Sequence, residues 1–452
     1  MMATELLSIR AEVTHKDTYS ERIHEFEVPE NVGTLSVTFE IEPKRVGPYG
    51  QAIGVFLHDP TGFRGSPGRT VPPARLGAWG ATPGMVPGPL PLGTWKAEVN
   101  LNYVLEGPPC TYDLRVWLED SAPSDALPLS RMLPTAIPNT GPGWYGGDLH
   151  MHTHHSDGQW SVAELWQAIQ QRSLDFFVLT DHNTLTGLAE VATLDTGRVL
   201  PIPGMEVTMR KGHMLAIGAD TLIDWWVGRD GRTIADVVDD IHAAGAAAIV
   251  AHPGADGSPI CHGCRWEMAN VDPRRIDAVE VWNSPWQLDE DNDNSMIFYD
   301  AWLARGYRVP LSGGSDEHGG RPTFAHGVPT TYVYARELSR EAIVEGIRAG
   351  RMVVSSGPTL RLTAQAGGAA AMPGDTLPAA GPFRLEASVA DLDVPARLIL
   401  LGNGEVLAAQ PLEAGGTCLY TSNQPDPGWY RAELRNLDGT AMLAIASPIF
   451  LA

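Results

Sequence analysis

A chain of 452 residues exceeds what one ordinary hydrophobic core organises, so two or three domains are expected. The apolar fraction of 43% and charged fraction of 19% suit a soluble globular protein, and 48 glycines and 36 prolines favour short strands and turns over long helices. A formal charge of −22 argues against sequence-independent nucleic-acid binding, whereas a small anionic substrate stays open because metal cations can reverse the field inside one cleft.

The N-terminal stretch MMATELLSIRAEVTHKD carries no apolar run of signal-peptide length, and no segment approaches the ~18 apolar residues of a membrane span. Cys110, Cys261, Cys264 and Cys418 are few and scattered, which fits a reducing compartment. A cytoplasmic protein with no membrane partner is the expectation.

Residues 1–143 alternate in the β manner, as in Thr34-Leu-Ser-Val-Thr-Phe-Glu-Ile and Thr111-Tyr-Asp-Leu-Arg-Val-Trp-Leu. Their glycine and proline punctuation predicts an antiparallel β-sandwich, followed by a Pro/Gly-rich linker over 122–143. Residues 144–357 change to strand–helix alternation. Ser161-Val-Ala-Glu164 is a capping box that opens a helix with Val162, Leu165, Trp166 and Ile169 on one face. A second helix is predicted over Thr233–Ala244, striped by Ile234, Val237, Val238 and Ile241 and stopped by Gly245. Strands are predicted within 174–180, 199–202, 214–217, 247–251, 278–282 and 309–311, which implies a mostly parallel sheet, open or closed into a barrel. Residues 358–452 return to β alternation and predict a second sandwich.

In the middle zone, histidines and carboxylates fall repeatedly at the C-terminal ends of predicted strands. Asp148-Leu-His150-Met-His152 places two imidazoles on one side of an extended segment. Alone, such a pair discriminates little from core packing. Thr180-Asp181-His182-Asn183 closes a buried strand, where the bland reading is an Asx-type turn. Glu206 follows an apolar run, His213 and His252 lie in or at the end of strands, and Ser315-Asp316-Glu317-His318 closes the last. Five such endings in one zone are hard to ascribe to chance. Imidazole with carboxylate and no cysteine suits zinc, manganese or iron in a hydrolytic centre.

Other features carry bland readings. Cys261-His-Gly-Cys264 lacks a second metal-binding pair and reads as loop thiols. Asp289-Glu-Asp-Asn-Asp reads as a solvated helix start, not a calcium loop. Trp282 and Trp286 could wall an apolar pocket or simply pack the core.

The segments 148–158, Leu179–Asn183, Gly204–Glu206, His213, Ala251–Pro253 and Ser315–His318 together resemble, in order, the PHP superfamily, named for its polymerase and histidinol-phosphatase members. Val279–Asn283 and Gly350–Pro358 resemble its carbaryl-hydrolase-like (CehA/McbA-type) branch. The resemblance implies an α/β fold, a distorted (β/α)7 barrel between N-terminal and C-terminal β-sandwiches, with two or three divalent metal ions at the strand C-termini. It implies that His150, His152 and Asp316 hold the first ion, that Glu206 bridges the first and second, and that His213 and His252 complete the second. Asp157, His182 and His318 would hold a third, although members of the family often carry histidine in place of Asp157. Asp181 would orient a ligand without binding metal.

The expected activity is phosphoester hydrolysis on a small-molecule substrate. A bridging hydroxide would attack phosphorus in line, with Glu206, Asp316 and His318 central to the site. Arg321 could contact the phosphate or be a surface loop residue, and His154, His155 and His326 are candidates for protonating the leaving oxygen. The same chemistry extends to carboxylic esters, carbamates or amides, and a non-catalytic metal-binding module is the alternative outside enzymology.

Overall fold

The structure is a computed structural model that describes residues 4–30, 32–68, 72–119, 132–286, 291–319 and 326–452. Alternation in the N-terminal region produces two antiparallel sheets. One orders Thr4–Val13, Cys110–Glu119, Thr34–Glu42, Ala74–Gly77 and Gly80–Ala81; the other orders Ser20–Val28, Gly93–Tyr103, Ala52–Asp59 and Gly62–Gly65. Val37, Leu57, Trp95, Val99 and Leu114 meet in the single core these sheets share, each withdrawn from solvent.

The middle of the chain folds as helices on one long mixed sheet. Its strands follow the order Leu311–Gly314, Ala278–Asn283, Ala247–Ala251, Gly212–Ile217, Leu200–Met209, Phe176–Leu179, Gly143–Asp148 and Thr330–Ala335. The sheet curls: Thr331 Oγ1 donates to Gly313 O (2.6 Å) and accepts from Gly313 N (3.1 Å), bringing the first of these strands back to the last.

The expected mostly parallel sheet is a mixed one, with four parallel and three antiparallel pairs among these strands. Leu200–Met209 turns through Arg210 and Lys211 straight into Gly212–Ile217, a connection far too short for a helical crossover, so these strands run antiparallel. Gly212–Ile217 is also antiparallel to Ala247–Ala251, and Gly143–Asp148 to Thr330–Ala335. Parallel pairing holds for 143–148 with 176–179, 176–179 with 200–209, 247–251 with 278–283, and 278–283 with 311–314.

The helices begin where their caps direct. Ser161 Oγ accepts from Glu164 N (3.2 Å) while Glu164 Oε2 accepts from Ser161 N (2.7 Å), opening Val162–Ile169. Thr233 and Asp236 do the same for Ile234–Ala243, which buries Ile234, Val237, Val238 and Ile241. The helix Asp291–Ala304 follows the acidic run, of which Asp289 and Glu290 lie outside the described residues, as does 120–131 of the linker. No helix among the described residues is long and apolar enough to cross a membrane.

The central sheet does not stop at residue 357. Met352–Ser355 pairs with Met442–Ala446, and the ladder continues through Gly428–Asn436, Ala396–Gly402 and Glu405–Leu412. A four-stranded sheet containing Thr359–Ala366, Phe383–Ala390 and Gly416–Ser422 packs across them over Leu362, Phe383, Leu385, Leu398 and Leu434.

The N-terminal sheets dock on the side of the central sheet where the histidines emerge. Arg210 Nη1 donates to Tyr19 O (3.0 Å), and its Nη2 pairs with Glu21. Arg229 Nη2 lies 2.6 Å from Glu98 Oε1, and the His262 ring stacks on Tyr103 at 5.0 Å. Cys261 and Cys264 form a disulfide rather than the expected loop thiols, since the turn at Gly263 brings their Cα atoms to 5.6 Å.

Candidate metal centre

The centre is built by loops stitched to one another at the strand ends. Asp148 ends its strand with a buried carboxylate that accepts from His150 N (3.2 Å), Ser315 N (3.0 Å) and Gly327 N (2.6 Å). The chain leaving this strand is therefore fixed, and His150 and His152, two residues apart on extended backbone, are both fully buried on one side. Asp316 N donates to His150 O (2.8 Å), which carries Asp316 to them. Asn183 N donates to Glu206 O (3.0 Å) and Glu206 N to Thr180 O (3.1 Å), which sets His182 beside Glu206. Asn183, His252 and Asp316 take left-handed φ values of 51°, 26° and 49°, a strained backbone typical of sites whose surroundings over-determine it.

Glu206 is the hub. Its Oε2 lies 3.2 Å from His150 Nε2, 3.4 Å from His152 Nε2 and 2.9 Å from His182 Nδ1. Its Oε1 lies 2.8 Å from His213 Nδ1 and 3.1 Å from His252 Nε2. Asp316 Oδ1 reaches His152 Nε2 (2.9 Å) and His150 Nε2 (3.3 Å). Asp157 Oδ1 lies 3.2 Å from His318 Nε2 and 3.5 Å from His182 Nε2, at the exposed mouth. The His152 ring stacks between those of His182 (4.5 Å) and His318 (4.2 Å).

The structure thus gathers His150, His152, Asp157, His182, Glu206, His213, His252, Asp316 and His318. Arg321 lies outside the described residues. Ligand atoms within 4.8 Å of one another group as His150–His152–Asp316, His182–Glu206–His213, and His152–Asp157–His182–His318. A further group, His150–His252–Glu280, contains a carboxylate that the motif reading passed over. Glu280 is fully buried; it contacts His150 Nδ1 (3.0 Å) and accepts from His252 N (3.0 Å). Its signal in the sequence was a lone acid between Val279 and Val281 in an otherwise apolar strand, costly to bury without a task. Gly314 must lack a side chain here, because a Cβ would sit 2.4 Å from His150 Cβ and 2.9 Å from Glu280 Oε1.

These residues fit divalent cations. His150 Nε2, both nitrogens of His152, His213 Nε2, His252 Nδ1 and Glu206 Oε2 are buried without a hydrogen-bond partner. Such atoms are costly to bury unless something satisfies them, and a bound cation can satisfy an imidazole or carboxylate lone pair. Among the described residues the ligand set is imidazole and carboxylate, which suits zinc, manganese or iron.

Electrostatics follow the crowding. Burial disfavours charge on Glu206, but His182, His150 and His213 outweigh it and hold the carboxyl well below the usual range. Asp316 behaves alike, with His150 and His152 overcoming burial. Burial also opposes protonation of His182 and His318, yet Glu206 and Asp157 raise the first to about 9, and Asp157 and Asp316 raise the second to about 10. His152 goes the other way, to about 4, through burial and the neighbouring His318 and His182.

The remaining predicted residues separate by contact. Asp181 accepts from Thr153 N, Thr153 Oγ1 and Ser156 Oγ, each at 2.7 Å, so it braces the loop between His152 and Asp157. His155 Nε2 lies 2.9 Å from Glu190 and its Nδ1 2.8 Å from Thr186 Oγ1, while His154 lies 3.6 Å from Glu190. His326 is buried beside Trp160, and burial lowers it to about 4. Trp282 and Trp286 meet edge to face at 5.2 Å inside the main core, which settles them as packing residues.

Residues 148–247 match the PHP domain family. That segment carries His150, His152, Asp157, His182, Glu206 and His213, and the match supports the PHP superfamily. A 3',5'-nucleoside bisphosphate phosphatase of Chromobacterium violaceum is 35% identical over 78 residues, covering 16% of this chain and 27% of that protein. The chain therefore aligns with about a quarter of this curated relative. Among solved structures, a two-domain protein from Bacteroides vulgatus, described as containing a predicted PHP-like metal-dependent phosphoesterase, aligns with 71% of this chain and 99% of its own at 16% identity and a TM-score of 0.38. An amidohydrolase from Chromobacterium violaceum with bound sulfate aligns with 46% of this chain and 96% of its own at 17% identity and a TM-score of 0.30.

Proposed function

We propose that the protein is a metal-dependent phosphoesterase acting on a small phosphorylated molecule. The observation that carries this reading is the contact of one buried carboxylate, Glu206, with five imidazoles, beside a second, half-buried carboxylate, Asp316, that reaches two of them. In this reading the curled sheet of residues 144–357 is a distorted (β/α)7 barrel, and residues 1–143 and 358–452 form the β-sandwiches that flank it. His150, His152 and Asp316 would hold one ion, His213 and His252 a second, and Asp157, His182 and His318 a third, with Glu206 shared between the first two. Divalent ions there would supply an acidified water for attack and positive charge for the phosphoryl oxygens.

The protein's own groups do the rest. Glu280 takes a hydrogen bond from His150 Nδ1, which leaves Nε2 turned to Glu206 and Asp316. Asp181 holds the loop that carries Asp157. Lys211 lines the same cleft without a carboxylate partner among the described residues, and its ammonium would attract the anionic substrate. The test is turnover of p-nitrophenyl phosphate against 1-naphthyl acetate and 1-naphthyl N-methylcarbamate with added zinc, manganese or iron. Metal-dependent hydrolysis of the phosphate supports the reading, and metal-dependent turnover of the ester or carbamate alone overturns it.

A further inference from the structure

The cleft above the metal centre has a volume of about 980 Å³ and runs from Asp157, His182 and His318 to the N-terminal sheet. A phosphoryl group fills only its inner end. The strand Gly93–Tyr103 shows what stands at the outer end. Trp95, Ala97, Val99 and Leu101 point into the core between the N-terminal sheets, so Glu98, Asn100 and Asn102 project from the opposite face. That face is covered rather than solvated: Glu98 is 4% and Asn100 7% exposed.

On the covered face, Glu98 is occupied by Arg229, while Asn100 and Asn102 line the cleft and Asn102 Oδ1 is buried without a hydrogen-bond partner. Phe56, opposite Glu98 in register, meets Trp226 edge to face at 5.4 Å and Trp225 at 5.7 Å. Gly54, opposite Asn100, leaves open space, since a Cβ there would meet nothing within 4 Å. The two arginines that reach this end are matched by carboxylates, Arg229 by Glu98 and Arg210 by Glu21. The walls are therefore aromatic, the polar groups are carboxamides that offer both donor and acceptor, and these cations are already neutralised.

We propose that the N-terminal strands build a distal subsite that binds an uncharged planar heteroaromatic group with a hydrogen-bonding edge, carried on the substrate's leaving side. Only the placement on the leaving side rests on the phosphoesterase reading; the subsite itself does not. The occupant lies over Gly54, packs against Phe56 beside Trp226, whose ring carries the Arg229 guanidinium (3.7 Å), and pairs its edge with Asn100 and Asn102.

The test is equilibrium titration of the full-length protein with adenosine, which has such a ring and no phosphate, followed by tryptophan fluorescence. Saturable binding is expected, weakened at least tenfold by Gly54→Leu, which fills the open space, and weakened also by Asn102→Ala. Circular dichroism establishes that each variant is folded, and if Gly54→Leu is not, Asn102→Ala decides. Absence of saturable binding, or wild-type affinity in the folded variants, overturns the subsite. Adenosine binding without hydrolysis of any phosphoester would uphold the subsite and defeat the phosphoesterase reading, and hydrolysis without binding would do the reverse. With metal added, the kcat/KM ratio of adenosine 5'-monophosphate to glycerol phosphate should fall at least tenfold in Gly54→Leu.

Discussion

His150 Nδ1 lies 3.0 Å from Glu280 Oε1 in a fully buried pair, and this contact decides which imidazole nitrogen faces the metal centre. With Nδ1 donating to Glu280, Nε2 is the lone-pair nitrogen turned toward Glu206 and Asp316. Replacing Glu280 with alanine should lower metal affinity about 10–100-fold, and glutamine, which still accepts a hydrogen bond, should lower it less. Competition with a chromogenic chelator measures both; equal losses in the two variants would assign the effect to charge alone.

Metal uptake at the outer group should rise steeply with pH. His182 and His318 are raised to about 9 and 10, so both carry protons at neutral pH when no cation is bound. A cation must displace those protons, so affinity grows as pH climbs from 7 toward 9. The linked stability has the opposite sign. A raised histidine stabilises the metal-free fold fully below its ordinary value of 6.5 and loses that contribution as pH passes through 9–10. Metal titrations and thermal melts of chelated protein at pH 6.5, 8 and 9.5 check both slopes.

Chelation should lower the melting temperature. A cation that binds only the folded chain at ~100 times its dissociation constant adds about 2.7 kcal/mol, and removal leaves the unpartnered nitrogens of His150, His152, His213 and His252 in the interior. Calorimetry with and without chelator reads this directly; identical melting curves would show that the cluster holds no cation.

The C-terminal strands should unfold with the central sheet. Arg431 is 2% exposed, pairs with Glu433 (2.7 Å) and with Asp300 of the helix Asp291–Ala304, and joins the two regions. Arg431→Met leaves the buried Glu433 with Arg435 (2.8 Å) alone and should cost about 1.5–3 kcal/mol. Because the ladder passes unbroken from Met352–Ser355 to Met442–Ala446, one transition at lower temperature is expected. Two separated transitions would mean the regions fold independently.

Much of the cluster was legible because it leaves polar residues at strand ends where an apolar run stops, as in Phe176–Leu179 before Asp181 and His182. The capped helices were legible for the same local reason: Ser161 with Glu164 and Thr233 with Asp236 act within four residues. Strand direction was not, because the sign of pairing at Gly212–Ile217 depends on a two-residue turn that leaves the hydrophobic pattern unchanged. Glu280 escaped because its role rests on contact with His150, 130 residues away in sequence. The polar face of Gly93–Tyr103 becomes a cleft wall only through docking against Trp226 and Arg229, which local alternation does not encode.

The most direct test of the bridged centre is Glu206→Ala, assayed for metal stoichiometry by elemental analysis and for p-nitrophenyl phosphate hydrolysis. The five imidazoles now gathered on that carboxylate would lose their common acceptor. The expected result is a folded protein that has lost at least one bound metal equivalent and at least a hundredfold in kcat. Wild-type metal content together with wild-type turnover would contradict the account.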